Sequence, residues 1–277
     1  MKNLVLRTVT GILFVAVVVA SILLYDVTEI PFNVLMVLVA VLGTWEFLKM
    51  SGILRRWPQT VLTLLTSALL AVAPFFISRF EWVTSLFCCI PFLFFFIVLF
   101  AMELFRKGEG STSLQTLALY VLPLLWIAIP VFLMGMMITV TPSRMLALFI
   151  IIWLDDTLAY CAGSLFGRHK LCERISPKKT WEGFIIALVL TVAASVSFSY
   201  IGFFADAVSW SPLHWLGLAL VVVLFGTLGD LVESMIKRSC GVKDSGNILP
   251  GHGGILDRFD SVLMAVPAGA LYAFIVG

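Results

Sequence analysis

The sequence predicts an all-α, polytopic integral membrane protein with about nine transmembrane helices and a cytoplasmic N-terminus. Three observations carry this. Of 277 residues, 61% are hydrophobic and 12% charged, against about 25% charged in soluble domains, and the mean hydropathy is +1.09. Apolar runs near the ~20 residues needed to cross a bilayer recur along the chain. The basic residues alternate between the ends of those runs. In hydrocarbon every backbone group must be satisfied internally, so the runs are helices; the ten-residue alternating segments of a barrel are absent from the sequence.

Taken in order, Lys2 and Arg7 precede the first run, 8–24. They resemble a secretory leader, but the run is long, lacks a small-x-small cleavage pattern and is followed by further spans, so a retained helix is expected. A second run, 30–48, leads to Lys49, Arg55 and Arg56; a third, 61–77, ends beside Arg79; a fourth, 83–104, ends at Arg106 and Lys107. A fifth, 114–139, is separated by Arg144 from the sixth, 145–166, and Arg168, Lys170, Arg174, Lys178 and Lys179 follow. The seventh, 184–204, and the eighth, 213–236, enclose a loop containing Asp206; Lys237, Arg238, Lys243 and Arg258 then precede the ninth, 261–276. With the N-terminus inside, 16 of the 18 Lys and Arg lie on the cytoplasmic side, as the positive-inside rule requires. Asp206 and Gly277 then lie opposite. Residues 1–140 read as about five transmembrane helices, and residues 141–277 as a catalytic transmembrane region with two polar cytoplasmic loops. No internal repeat supports an inverted-repeat transporter. The five cysteines show no CxxC or Cys/His cluster at zinc spacing, and they read as small apolar residues.

Polar chemistry gathers in those two loops, 167–183 (GRHKLCERISPKKTWEG) and 234–260 (SMIKRSCGVKDSGNILPGHGGILDRFD), and in the helices beside them. Asp155 and Asp156 fall within the sixth run, and Asp230 lies near the cytoplasmic end of the eighth, followed by Glu233 and Ser234. An ionisable residue in a span costs at least about 2.5 kcal/mol at mid-bilayer and marks a functional site by default. Asp257 and Asp260, spaced i, i+3, share one face if the last helix begins near Ile255. Carboxylates at that spacing suit Mg²⁺ or a similar hard cation, although Arg258 between them can pair with either. The preceding Gly251-His252-Gly253-Gly254 allows backbone amides to approach an anion at a helix N-terminus. In the first loop Ser176-Pro177 can cap and start a turn, and Lys179 and Thr180 can bind phosphate. Carboxylates for a metal, amides for phosphate and nearby cations describe a metal–polyphosphate site.

Ser234-x-x-Lys237-Arg238, Lys243-Asp244-Ser245-Gly246, Leu249-Pro250-Gly251-His252-Gly253-Gly254 and Asp257-Arg258-x-Asp260 together resemble, without a gap over 27 residues, the signature of phosphatidate cytidylyltransferases, also called CDP-diacylglycerol synthases. DTLAYCAGSLFGRHKL, SPKKTWEG and LGDLVES resemble that family's other polar segments. The resemblance covers residues 156–261; the first 140 residues match only in general character. It implies that CTP and phosphatidic acid give CDP-diacylglycerol and pyrophosphate with Mg²⁺ in phospholipid biosynthesis. Asp230, Asp257 and Asp260 would hold one or two cations. Lys179, Lys237, Arg238 and Arg258 would bind phosphates, and His252 would bond a phosphate, protonate the leaving group or stabilise its turn. Asp156, Ser176, Thr180, Lys243, Asp244, Gly251, Gly253 and Gly254 complete the substrate site. Two positions depart from the pattern: Asp155 stands where a small or apolar residue is usual, and Lys178 where glycine is frequent. Since neighbouring helical residues point about 100° apart, Asp156 is expected to face the site and Asp155 to be paired or structural. A homo-oligomer, a dimer, is expected in a bacterial inner membrane, among membrane lipids, with the active site facing the cytoplasm and no nucleic acid bound. The rivals are another membrane lipid phosphotransferase or kinase, and an ion-coupled transporter.

Overall fold

The computed structural model describes residues 2–79, 84–106, 113–204, 210–249 and 251–276. Lys107, Asp206, Pro250 and Gly277, each named in the sequence reading, lie outside the described residues. The chain forms two compact units: Met1–Thr139 with Asp244–Arg258, and Val140–Lys243 with Phe259–Gly277. The second polar loop therefore divides, and its glycine-rich part packs in the N-terminal unit.

The first unit contains α1 (Lys2–Leu23), α2 (Ile30–Met50), α3 (Trp57–Ile77), α4 (Thr84–Leu104), α5 (Ser113–Pro123) and α6 (Ile129–Val140). α5 and α6 form one span, Ser113–Val140, joined through a π-helical turn at Leu124–Ala128. Pro123 and Pro130 flank that turn, and a missing N–H at each favours the wider helical step. Proline in the first turn starts α2 and α3, where an N–H would have no helical partner. α2 and α3 are pinned by Thr44 and Ser67, whose hydroxyls lie 3.0 Å apart, while Ser67 also donates to the Ala40 carbonyl at 3.1 Å. Between α3 and α4, Arg56 and Arg106 pair with the buried Glu103 at 3.5 and 2.8 Å.

The second unit contains α7 (Pro142–Phe166), β1 (Lys170–Cys172), β2 (Ser176–Thr180), α8 (Trp181–Ser195), α9 (Pro212–Ser239) and most of α10 (Leu256–Val276). α7 and α8 pack closely because Gly163 and Gly183 meet: a Cβ on Gly183 would lie 2.8 Å from the Ala159 carbonyl and 3.0 Å from the Gly163 Cα. Small residues at such crossings let helix backbones approach where lipid provides no hydrophobic drive. At the end of α9 far from Asp230, Ser211 and His214 form a capping box, and Trp210 stacks against Trp215 and the Arg144 guanidinium.

Seven helical spans among the described residues are long and apolar enough to cross a membrane; Thr8–Leu23 and Ile90–Leu104 are shorter apolar helices within α1 and α4. The chain is thus a polytopic, almost wholly α-helical membrane protein. Each of the nine runs read from the sequence coincides with one of these helical stretches. One local expectation gives way. Ser176-Pro177 does not cap a turn but opens β2, paired antiparallel with β1 through Lys170–Thr180 and Cys172–Ser176. A two-stranded ribbon tolerates the missing Pro177 N–H, and the cap is Thr180, whose hydroxyl accepts from the Gly183 amide at 3.2 Å. The last helix begins at Leu256, beside the Ile255 start that the Asp257–Asp260 spacing presupposes, with charged residues in its first turn ahead of the apolar run.

Candidate functional site

In the second unit the C-terminal end of α9 carries Asp230, Glu233 and Lys237 at i, i+3 and i+7, which places them on one face. Against that face α10 brings Asp260. The approach is set by Gly229: a Cβ there would lie 2.5 Å from the Asp260 carbonyl oxygen and 3.3 Å from the Ser261 Cα. Ligand oxygens of Asp230, Glu233 and Asp260 consequently lie within 4.8 Å of one another. Lys179 of β2 pairs with Asp230, Lys237 pairs with Glu233, and Ser234 donates to Asp230 at 3.3 Å. Glu233 is 0% exposed and Lys237 8%. Three carboxylates and two ammonium groups leave this cluster one negative charge in formal balance. Three hard oxygen donors within one ligand-sized space fit Mg²⁺.

Beside the cluster opens a cavity of about 590 Å³, lined in part by Asp155, Asp156, Lys179, Thr180, Thr227 and Asp230. Both aspartates line this cavity, but unequally. Asp156 is exposed, whereas Asp155 is buried in the wall with Oδ1 lacking a hydrogen-bond partner among the described residues. A 100° step between neighbours is small beside a cavity of this width. Ser176 lies half-buried at the start of β2. Arg238 donates to the Val242 carbonyl at 3.1 Å and, like Lys243, is exposed.

The glycine-rich loop belongs to the first unit. Gly251 and Gly253 have φ of 78° and 84°, a left-handed backbone that glycine adopts at no steric cost. They close a tight turn in which the Leu249 amide donates to the Gly253 carbonyl at 3.0 Å. His252 Nδ1 lies 2.5 Å from the Thr10 hydroxyl of α1, which anchors the turn. Asp257 Oδ2 accepts from the Ser245 amide and hydroxyl, each at 2.9 Å, and from the Gly254 amide at 2.8 Å. Ile255 and Leu256 give their amides to Glu46 of α2, each at 3.0 Å. The sequence reading assigns the Gly254 amide and this helix start to a substrate anion; in the structure the protein's own carboxylates, Asp257 and Glu46, occupy those donors. Asp244 is exposed at the start of the loop, and Arg258, half-buried, has Nε without a hydrogen-bond partner among the described residues.

Sequence reasoning named Glu233 without giving it a ligand role, and it missed Glu46. Glu233 was visible as the i+3 neighbour of Asp230 and the i−4 neighbour of Lys237. Glu46 had only one signal, an acid inside an apolar span; its partners lie about two hundred residues further along.

Phosphatidate cytidylyltransferases of Staphylococcus aureus (strain COL) and Staphylococcus haemolyticus are each 51% identical over 121 residues, and that of Staphylococcus saprophyticus is 49% identical over the same length. The aligned segment is 43% of this chain and 44% of each relative, so the match spans less than half the length of these curated relatives. The model of the cytidylyltransferase family matches residues 5–276, nearly the whole chain, and the protein belongs to that family.

Proposed function

We propose that this protein transfers the cytidylyl group of CTP to phosphatidic acid, releasing pyrophosphate and forming CDP-diacylglycerol for phospholipid synthesis. The observation that carries the reading is the Asp230–Glu233–Asp260 cluster, flanked by Lys179 and Lys237 beside a polar cavity, in a membrane-embedded member of this family. The relatives' name supplies the substrates.

A phosphate oxygen of phosphatidate attacks the α-phosphorus of CTP, and the bond from that phosphorus to the bridging oxygen of the β-phosphate breaks. The attacking oxygen is already anionic, so no strong base is needed, and catalysis is mostly positioning and charge neutralisation. Asp230 and Asp260, with Glu233 beside them, would hold Mg²⁺, which when bound neutralises phosphate charge. Lys179 and Lys237 are ammonium groups already at the cluster and serve the phosphates as point charges. Arg238, exposed at the end of α9, would add a further cation for the phosphates. Glu233 and Lys237 are buried, which strengthens their interactions relative to water.

The protein is read as residing in a bacterial inner membrane with its site and N-terminus towards the cytoplasm, the source of CTP. Support comes from the placement of 16 of 18 basic residues on one side. The test is direct: purified protein with CTP, phosphatidic acid and Mg²⁺, the lipid product identified by mass spectrometry. A CDP-diacylglycerol mass, with one pyrophosphate per lipid, supports the reading. A phosphorylated lipid, or vesicle flux without a nucleotide lipid, assigns the protein to a kinase or transporter instead.

A further inference from the structure

Glu46 is 0% exposed, and it lies in a transmembrane helix far in sequence from the polar loops. A buried carboxylate is costly unless hydrogen-bonded. Its partners are specific: Oε1 accepts from the Ile255 amide at 3.0 Å, and Oε2 accepts from the Leu256 amide at 3.0 Å and the Ser245 hydroxyl at 3.1 Å. Two of the orphan amides at the start of α10 are thus answered by a remote helix rather than by a local cap. A local Ser or Asp would satisfy those amides equally well, but it would not fix where the helix start lies relative to α2.

The loop is shaped around this carboxylate. A Cβ on Gly246 or Gly254 would collide with Glu46 Oε1. The Ser245 hydroxyl reaches both Glu46 Oε2 and, at 2.9 Å, Asp257 Oδ2, so one proton is shared between the two acids. The helix N-terminus adds favourable positive potential to both. Moving or neutralising Glu46 therefore alters the hydrogen bonding of Asp257 directly.

We propose that Glu46 is a positioning residue for the transfer reaction: it holds the glycine-rich loop and the first turn of α10 in the arrangement that presents Asp257. This rests on the proposed cytidylyl transfer and on the cation-binding role that the sequence resemblance implies for Asp257. Glu46→Gln tests it, since the amide nitrogen must face one of the two N–H groups. The full-length variant in nanodiscs is compared with wild type by CDP-diacylglycerol formation across a Mg²⁺ titration, by the melting shift that Mg²⁺ and CTP produce, and by hydrogen exchange of residues 251–257. The expected result is a folded protein with faster exchange in that segment and a 10–100-fold higher Mg²⁺ requirement, the range for groups that orient metal ligands. Glu29→Gln, which alters an exposed pair with Arg79, leaves all three readouts unchanged. Wild-type Mg²⁺ dependence in Glu46→Gln, or a lower melting temperature with that dependence unchanged, overturns the proposal. If Glu46→Gln does not fold, Ser245→Ala decides: it removes the hydroxyl shared with Asp257, and an unaltered Mg²⁺ requirement overturns the proposal equally. Should wild type make no nucleotide lipid, the functional reading fails by itself. The Mg²⁺-induced melting shift, which needs no turnover, then judges Glu46: retained in Glu46→Gln, it refutes the positioning role.

Discussion

Replacing Gly229 with alanine should abolish most activity while leaving the membrane fold largely intact. The added Cβ would sit 2.5 Å from the Asp260 carbonyl oxygen and 3.2 Å from the Met264 Cβ. The carbonyl belongs to helical backbone and cannot rotate away. Restoring an ordinary contact of about 3.5 Å requires α9 and α10 to separate locally by about 1 Å. Overpacking of this kind typically costs about 1–3 kcal/mol, which a bundle of this size survives. The site is more sensitive, because Asp230 follows Gly229 directly and Asp260 carries the displaced carbonyl. A misplacement of about 1 Å can lower turnover about 10²-fold, and the oxygens now within 4.8 Å would spread. Gly226→Ala is the matched control: its Cβ would meet Ser261 Cβ at 3.7 Å, an ordinary contact one turn earlier on the same helix. Turnover and melting temperature of both variants, measured with CTP and phosphatidic acid at saturating Mg²⁺, test the reasoning. Full activity in Gly229→Ala, or equal losses in both variants, would refute it.

Asp230→Asn and Asp257→Asn should each lower transfer by at least about 10²–10³, the usual loss when one charge-stabilising group is removed. Both should remain folded, since Asn at 257 still accepts hydrogen bonds at the helix start; normal turnover in both would rule out their assigned roles. Lys237→Met strands Glu233 as a buried charge and should cost about 3–5 kcal/mol. Adding Glu233→Gln should recover most of that stability in thermal melts without recovering turnover, and recovery of both would make the pair purely structural. Single cysteines at positions 179 and 206 in a cysteine-free background should label from opposite sides of the membrane. Labelling from one side would overturn the topology.

The helices were legible because their code is local. A run of about twenty apolar residues has one stable form in lipid, and prolines at positions 31, 58, 142 and 212 mark where several runs begin. Helix ends carrying function were less legible. α10 starts at Leu256, ahead of the apolar run, where Glu46 satisfies the Ile255 and Leu256 amides and Asp257 reaches back to the Gly254 amide. The β1–β2 hairpin escaped detection for a related reason: three residues paired with five, one of them proline, carry almost no periodic signal.

The site divides along the same line. Asp230, Asp257 and Asp260 stand in a contiguous pattern that names them, whereas Glu46 is defined by partners it meets only in the folded chain. That difference changes the chemistry assigned to the glycine-rich loop. Its sequence suggests a cradle of amides for phosphate, but the amides of Gly254, Ile255 and Leu256 are committed to carboxylates of the protein itself. An incoming phosphate would have to displace a buried acid bonded by three donors, and desolvated anions in one small space repel strongly. Under the proposed function, phosphate binding would then rest on side chains, first on Lys179 and Lys237, whose ion pairs with Asp230 and Glu233 already place ammonium groups at the carboxylate cluster. The loop acts as a clamp that presents Asp257: Gly246 and Gly254 make room for Glu46, and Gly253 for Asp257 itself.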